Sequence, residues 1–137
     1  MFHYRKTRKL LRSFPKPSGC AFCTGLQDEA VIEETNYHFL VPNRVSYDVW
    51  ELRAVTEHLL IIPKRHVTSL TSLDDQEKLD HMNLVSKYEA KGYNVYARGV
   101  GSLQRSVAHQ HTHLIKTVKK QARGSITWRK PFIFITF

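Results

Sequence analysis

The chain has 137 residues, 42% apolar and 24% charged, with a formal net charge of +9. At this length folding removes about two-thirds of the unfolded chain's surface, so one compact core needs no disulfide or partner. The two cysteines, Cys20 and Cys23, are too close in sequence to staple distant segments, which excludes a disulfide-dense secreted scaffold. The apolar run at 59–62 is far short of the roughly 20 residues a membrane helix needs. Residues 1–16 carry basic side chains with no apolar stretch behind them, so no signal peptide is expected. The expectation is a soluble, cytoplasmic protein with no membrane partner.

Charge is segregated along the chain. Residues 1–27 hold six basic residues and no acid, and residues 90–137 hold nine and no acid. All twelve acids lie from Asp28 to Glu89, where six basic residues leave a net −6. Basic ends of this kind concentrate polyanions such as nucleotides, RNA or DNA, although a solvated, solubilising surface reads the same way in the N-terminal arm.

In chain order, residues 1–14 read as a basic arm or a short helix with Leu10, Leu11 and Phe14 on one side. The Pro-rich stretch at 14–19 breaks any helix and leads to Cys20-Ala-Phe-Cys23. Strand-like runs follow at 30–33 and 37–42. Residues 43–56 show no period and read as a long loop, and 57–63 as a buried strand. A helix opens at Ser72 or Asp74, with Asp75 and Glu77 in its first turn. Its expected inner face is Leu79, Met82, Val85 and Tyr88, and Gly92 stops it. Beyond it, 93–97 reads as a strand, 99–102 as a turn, 106–117 as a long alternating strand and 126–137 as a last strand rich in Ile and Phe. Strands on both sides of one helix predict an α+β fold with a mainly antiparallel sheet.

The chemistry lies in His109-Gln110-His111-Thr112-His113. On a strand the three imidazoles project from one face, about 6.5 to 7 Å apart, which is an odd way to fill a core. A metal site is one reading, but no carboxylate lies beyond Glu89 to complete the usual strand-borne His-x-His sets. Nucleophilic catalysis on phosphorus is the other: one ring attacks, its neighbours set its tautomer and supply a proton, and basic groups hold the phosphate. An acid-free C-terminal region suits the second reading. Cys20-x-x-Cys23 by itself is compatible with a redox pair, half a zinc site or two small buried residues. His3, His38 and His81 show no partner pattern.

The segment 109–115 resembles the signature of the histidine triad (HIT) superfamily, and His58-Leu-Leu-Ile-Ile-Pro-Lys-Arg-His66 is similar to that family's second hallmark. The resemblance spans about residues 20–118. It implies a HIT-like antiparallel sheet of about five strands with one main helix, a single domain over 15–137 preceded by the arm at 1–14, and a homodimer. It further implies a nucleotide hydrolase or nucleotidyl transferase, of phosphoramidase or dinucleoside polyphosphate hydrolase type. His111 would form a covalent nucleotidyl-histidine, His113 would contact the phosphate or orient His111, and Ser106 would serve the leaving group. Asn43, His58, Arg98, Gln104 and Arg105 are the implied nucleotide and phosphate contacts. Arg98 and Arg105 depart from the residues common in nucleoside phosphoramidases. Gln110 and Thr112 replace apolar residues, so the far face of this strand is expected to be less buried or to meet another polar surface.

The branch of the superfamily that includes galactose-1-phosphate uridylyltransferases implies a structural zinc on Cys20, Cys23, His66 and His109. Structural zinc takes four ligands in a tetrahedron, commonly Cys2His2. The alternative class is a basic module that binds nucleic acid or processes its ends, similar to the aprataxin-like branch.

Overall fold

The structure is a computed structural model. It describes residues 3–14, 18–26, 30–121, 125–129 and 132–136, the last two as backbone. Among the described residues three α-helices, α1 (Arg5–Ser13), α2 (Ala21–Thr24) and α3 (Asp75–Glu89), accompany eight strands. These are β1 (Glu33–Glu34), β2 (His38–Pro42), β3 (Val49–Trp50), β4 (Arg53–Pro63), β5 (Asn94–Ala97), β6 (Thr112–Thr117), β7 (Ser125–Arg129) and β8 (Phe132–Thr136). The main sheet is antiparallel in the order β1-β2-β4-β6-β5, with β3 paired to the start of β4. It is the expected α+β fold, with six strands.

Strand alternation divides the centre of the sheet into two faces. Leu40, Leu59, Ile61 and Leu114 share one face with Leu84, Tyr88 and Tyr93 in a single apolar cluster, so α3 covers this side. On the other face Val41, Leu60 and Ile62 pack with Phe22, Leu26 and Phe39. His58 of β4 and His113 of β6 belong to this second face.

The N-terminus of α3 is fixed by a capping box: the Asp74 side chain accepts from the Glu77 N–H, and Glu77 accepts from the Asp74 N–H, each at 2.8 Å. Glu77 also receives a bidentate pair from Arg65, at 3.0 and 2.6 Å. That pair, ahead of every other influence, holds the Glu77 carboxyl at about 2.

Four expectations change. The inner face of α3 is Glu77, His81, Leu84 and Tyr88, with Val85 half-buried, whereas Leu79 and Met82 are 64% and 58% exposed. A threefold repeat drifts around a helix of 3.6 residues per turn, and the i, i+4, i+7, i+11 set is the one that stays aligned. The stretch 43–56 contains the β3–β4 hairpin. Its turn residues Glu51 and Leu52 have φ of 48° and 58°, a primed turn without the Asn-Gly that usually marks one. The strand expected over 106–117 begins only at Thr112. The C-terminal run forms two paired strands in a separate two-stranded sheet, where one strand was expected.

Candidate active site and metal site

His109 and His111 precede β6, so irregular backbone sets their directions. His109 turns toward the N-terminal segment, and His111 lies beside His113 with ring centroids 4.9 Å apart. Two contacts tie this loop to the end of β4 and the segment just after it: His109 Nε2–H donates to the Pro63 carbonyl at 2.9 Å, and the Gln110 N–H donates to the Val67 carbonyl at 2.7 Å.

The backbone orders the protons of the other site histidines. The Tyr47 N–H, which can only donate, lies 3.0 Å from His58 Nδ1, so His58 carries its proton on Nε2. That N–H faces His113 Nδ1 at 2.9 Å, which places the His113 proton on Nε2. His113 Nε2–H is buried and has no partner among the described residues. The Asn43 amide nitrogen lies 3.2 to 3.3 Å from both ring nitrogens of His58; in this tautomer only Nδ1 can accept from it. His111 Nδ1–H donates to the His109 carbonyl at 2.8 Å, leaving the His111 lone pair on Nε2.

All three rings are held neutral. Burial pushes His58 down to about 3, and neighbouring imidazoles add to the shift. Burial pushes His113 down to about 2, assisted by His58, His111 and Arg98. His111 is also lowered, by burial first, with Arg105 and Arg98 contributing and its bond to the His109 carbonyl opposing. A neutral imidazole with a free Nε2 lone pair is a competent nucleophile, and a desolvated N–H beside it is a donor for an anionic oxygen.

His111 and His113 open onto a cavity of about 540 Å³ that Asn43, Arg98, Gln104 and Ser106 also line. Arg105 does not line it. Its guanidinium donates to the Val107 and Ala108 carbonyls and to Gln110 Oε1, at 3.2, 2.8 and 3.0 Å, so it braces the loop that carries the triad. His58 sits behind His113 and is likewise absent from the lining. Tyr47 was not singled out in the sequence. It supplies the N–H that orders His58, its hydroxyl accepts from Arg98 at 3.2 Å, and its ring stacks near His113 at 5.5 Å. Its position two residues before the short hairpin carries no motif that would have marked it.

Gln110 and Thr112 are both buried, which rules out a less buried far face; the polar surface is what they meet. The Thr112 hydroxyl contacts His81 Nε2 of α3 at 3.2 Å. The His81 ring lies against His38, whose Nδ1 is 2.8 Å from Asp80. Burial holds His81 down at about 4.

Cys20, Cys23, His66 and His109 come together as the sequence led us to expect, with their ligand atoms all within 4.8 Å of one another. The sulfur of Cys23 is 3.3 Å from His66 Nδ1, and His109 Nδ1 is 3.5 Å from both sulfurs. A tetrahedral ion with metal–sulfur bonds of ~2.3 Å and metal–nitrogen bonds of ~2.0 Å requires S···N edges of about 3.5 Å. Because His109 donates from Nε2 to Pro63, its Nδ1 lone pair is free to ligate, the usual outer contact of a metal-bound imidazole. The four side chains could hold a metal ion.

An antiparallel sheet backed by one helix, with alternating histidines at the edge of a cavity, defines a histidine triad protein. The HIT domain model matches residues 49–120, and the chain belongs to this family. The fold is similar to a HIT family hydrolase from Clostridium thermocellum, at 18% identity and a TM-score of 0.58 over 79% of this chain and 98% of that one. It is also similar to a histidine triad nucleotide-binding protein from Candida albicans, at 22% identity and 0.58 over 83% and 85%. A histidine triad protein from Clostridium difficile gives 22% identity and 0.54 over 79% and 97%. No curated protein matches the chain in sequence. Among the described residues no helix is long and apolar enough to cross a membrane.

Proposed function

We propose that this protein is a nucleotide hydrolase or nucleotidyl transferase that works through a covalent nucleotidyl-histidine. The ordered protons around His111 carry the reading. His111 Nε2 attacks the α-phosphorus, a P–N bond forms, and the bond from phosphorus to the leaving group breaks. His113 Nε2–H donates to a phosphoryl oxygen, answering its lack of a partner in the protein. Ser106 and Gln104, on the cavity rim, hold the leaving group, and Arg98 and Asn43 the phosphate and nucleoside. Water or another acceptor then takes the nucleotidyl group, and the lone pair returns to His111. The names of the Clostridium thermocellum and Candida albicans proteins support the same class.

The tetrahedral spacing of Cys20, Cys23, His66 and His109 supports zinc as the ion, and so the zinc-binding branch of the family. Zinc there is structural: it ties the N-terminal segment to the two loops that carry His66 and His109. We read residues 15–137 as one domain and expect a homodimer in the cytoplasm, the oligomer being testable by light scattering.

Incubation with α-phosphate-labelled nucleotides followed by an alkaline quench should trap acid-labile label on wild-type protein and none on His111→Ala. Wild-type protein that takes no label from a broad nucleotide panel defeats the reading. The second reading, action on nucleic-acid ends, draws on the exposed Lys6, Arg8, Lys9 and Arg12 of α1 near the cavity. It requires oligonucleotide binding that persists at about 150 mM salt and falls steeply with added salt.

A further inference from the structure

The N-terminal segment reaches the active-site cavity. His3, Leu11 and Phe14 line it together with Phe22, Leu26, Val45 and Leu60, in the same space as His111. This helix lies outside the stretch that the family model matches, which begins at residue 49. An amphipathic helix normally buries its apolar side in the core. In α1 and at its C-cap the apolar side chains are left half open: Leu10, Leu11 and Phe14 are 50%, 48% and 36% exposed. The helix is nevertheless held in place. Asp48, just before β3, accepts from the Tyr4 N–H at 2.8 Å and from the Thr7 hydroxyl at 2.9 Å, so a residue more than forty positions away caps α1 with a carboxylate. The Arg44 guanidinium lies 5.6 Å from the centre of the Phe14 ring, steadying the other end.

We propose that α1 completes the nucleoside subsite, with Leu11 and Phe14 contacting the base of a bound nucleotide and Asp48 acting as the positioning residue that latches the helix. The inference rests on the nucleotide reading above. The occupant is an aromatic base because the unfinished apolar surface shares its cavity with the nucleophile and with Phe22, whose ring centroid is 5.1 Å from that of His111. Stacking on such a surface is tolerant of base identity, so α1 selects for the presence of a base.

The test compares an adenosine phosphoramidate with the base-free ribose phosphoramidate, using the full chain. In Leu11→Ser/Phe14→Ser, KM for the adenosine substrate should rise about tenfold. Its kcat should stay within about twofold, and kinetics on the base-free compound should not change. Asp48→Ala should reproduce the KM effect and Asp48→Asn only part of it, because the amide oxygen still accepts one bond. A KM unchanged in the double variant, with wild-type protein labelling His111 normally, overturns the role of α1 and leaves the enzyme reading intact. Wild-type protein that never takes label overturns both. A double variant that loses the thermal transition of the wild type also overturns it, since α1 would then be part of the core.

Discussion

Across the sheet, His58 on β4 points Nε2 at Nδ1 of His113 on β6, 2.9 Å away, and the register that pairs Leu60 with His113 makes this contact possible. One backbone N–H, from Tyr47, thereby dictates where the protons sit on two imidazoles. His58→Phe keeps the bulk and removes the donor. His113 is then free to take the other tautomer, with its proton on Nδ1 and no donor toward the cavity. Loss of one such donor should slow labelling of His111 by about 10- to 100-fold in single-turnover kinetics, with thermal stability close to wild type. A rate within twofold of wild type sinks the tautomer argument.

Metal removal should be felt by the whole N-terminal half of the site. Purified protein is expected to hold about one equivalent of zinc, and Cys23→Ser less than half of that, by elemental analysis. Chelation should lower Tm by several degrees or more and be reversed by adding zinc. Full metal content in Cys23→Ser would defeat the ligand set.

His81 makes stability depend on pH in a definite direction. Burial lowers it to about 4 in the folded protein, against an ordinary value of 6.5. Between those values the unfolded chain takes up a proton that the native state refuses. Stability is therefore greatest above about pH 6.5 and falls toward pH 4, by up to ~1.4 kcal/mol per pH unit for one proton. His58 and His113 act in the same direction. Denaturant titrations at pH 7 and pH 5 should show a smaller loss in His81→Gln than in wild type; an equal loss removes His81 from the account.

The corrected face of α3 has a simple check. Leu84, 3% exposed and inside the main cluster, should cost ~2–5 kcal/mol on replacement by Ala. Leu79→Ala, at a position 64% exposed, should stay within ~0.5 kcal/mol of wild type. Equal costs in urea melts would restore the threefold stripe as the buried face.

Arg105 and Arg98 look alike as neighbours of the triad but sit differently. Arg98→Ala should raise KM for nucleotide by about tenfold, because Arg98 lines the cavity. Arg105→Ala should instead lower Tm and kcat together, since its guanidinium holds the loop at 107–110. The reverse pattern would return Arg105 to the phosphate.

The sequence by itself placed strands on both sides of one helix, narrowed the helix cap to Ser72 or Asp74, set the stop at Gly92 and pointed to the four convergent Cys and His side chains. Those features depend on local periodicity, on backbone chemistry at helix ends, or on motif positions that the family resemblance supplied. What it left to the tertiary structure were properties of pairs distant in the chain. Tyr47 orders His58 only because a hairpin with an unmarked turn brings its N–H there. Thr112 is buried because it meets a histidine of α3. Leu11 of α1 lines the cavity on a helix whose start is held by Asp48, 41 to 44 positions away. Tautomer, burial and latch each depend on a partner's position in space, and no spacing along one segment encodes that position.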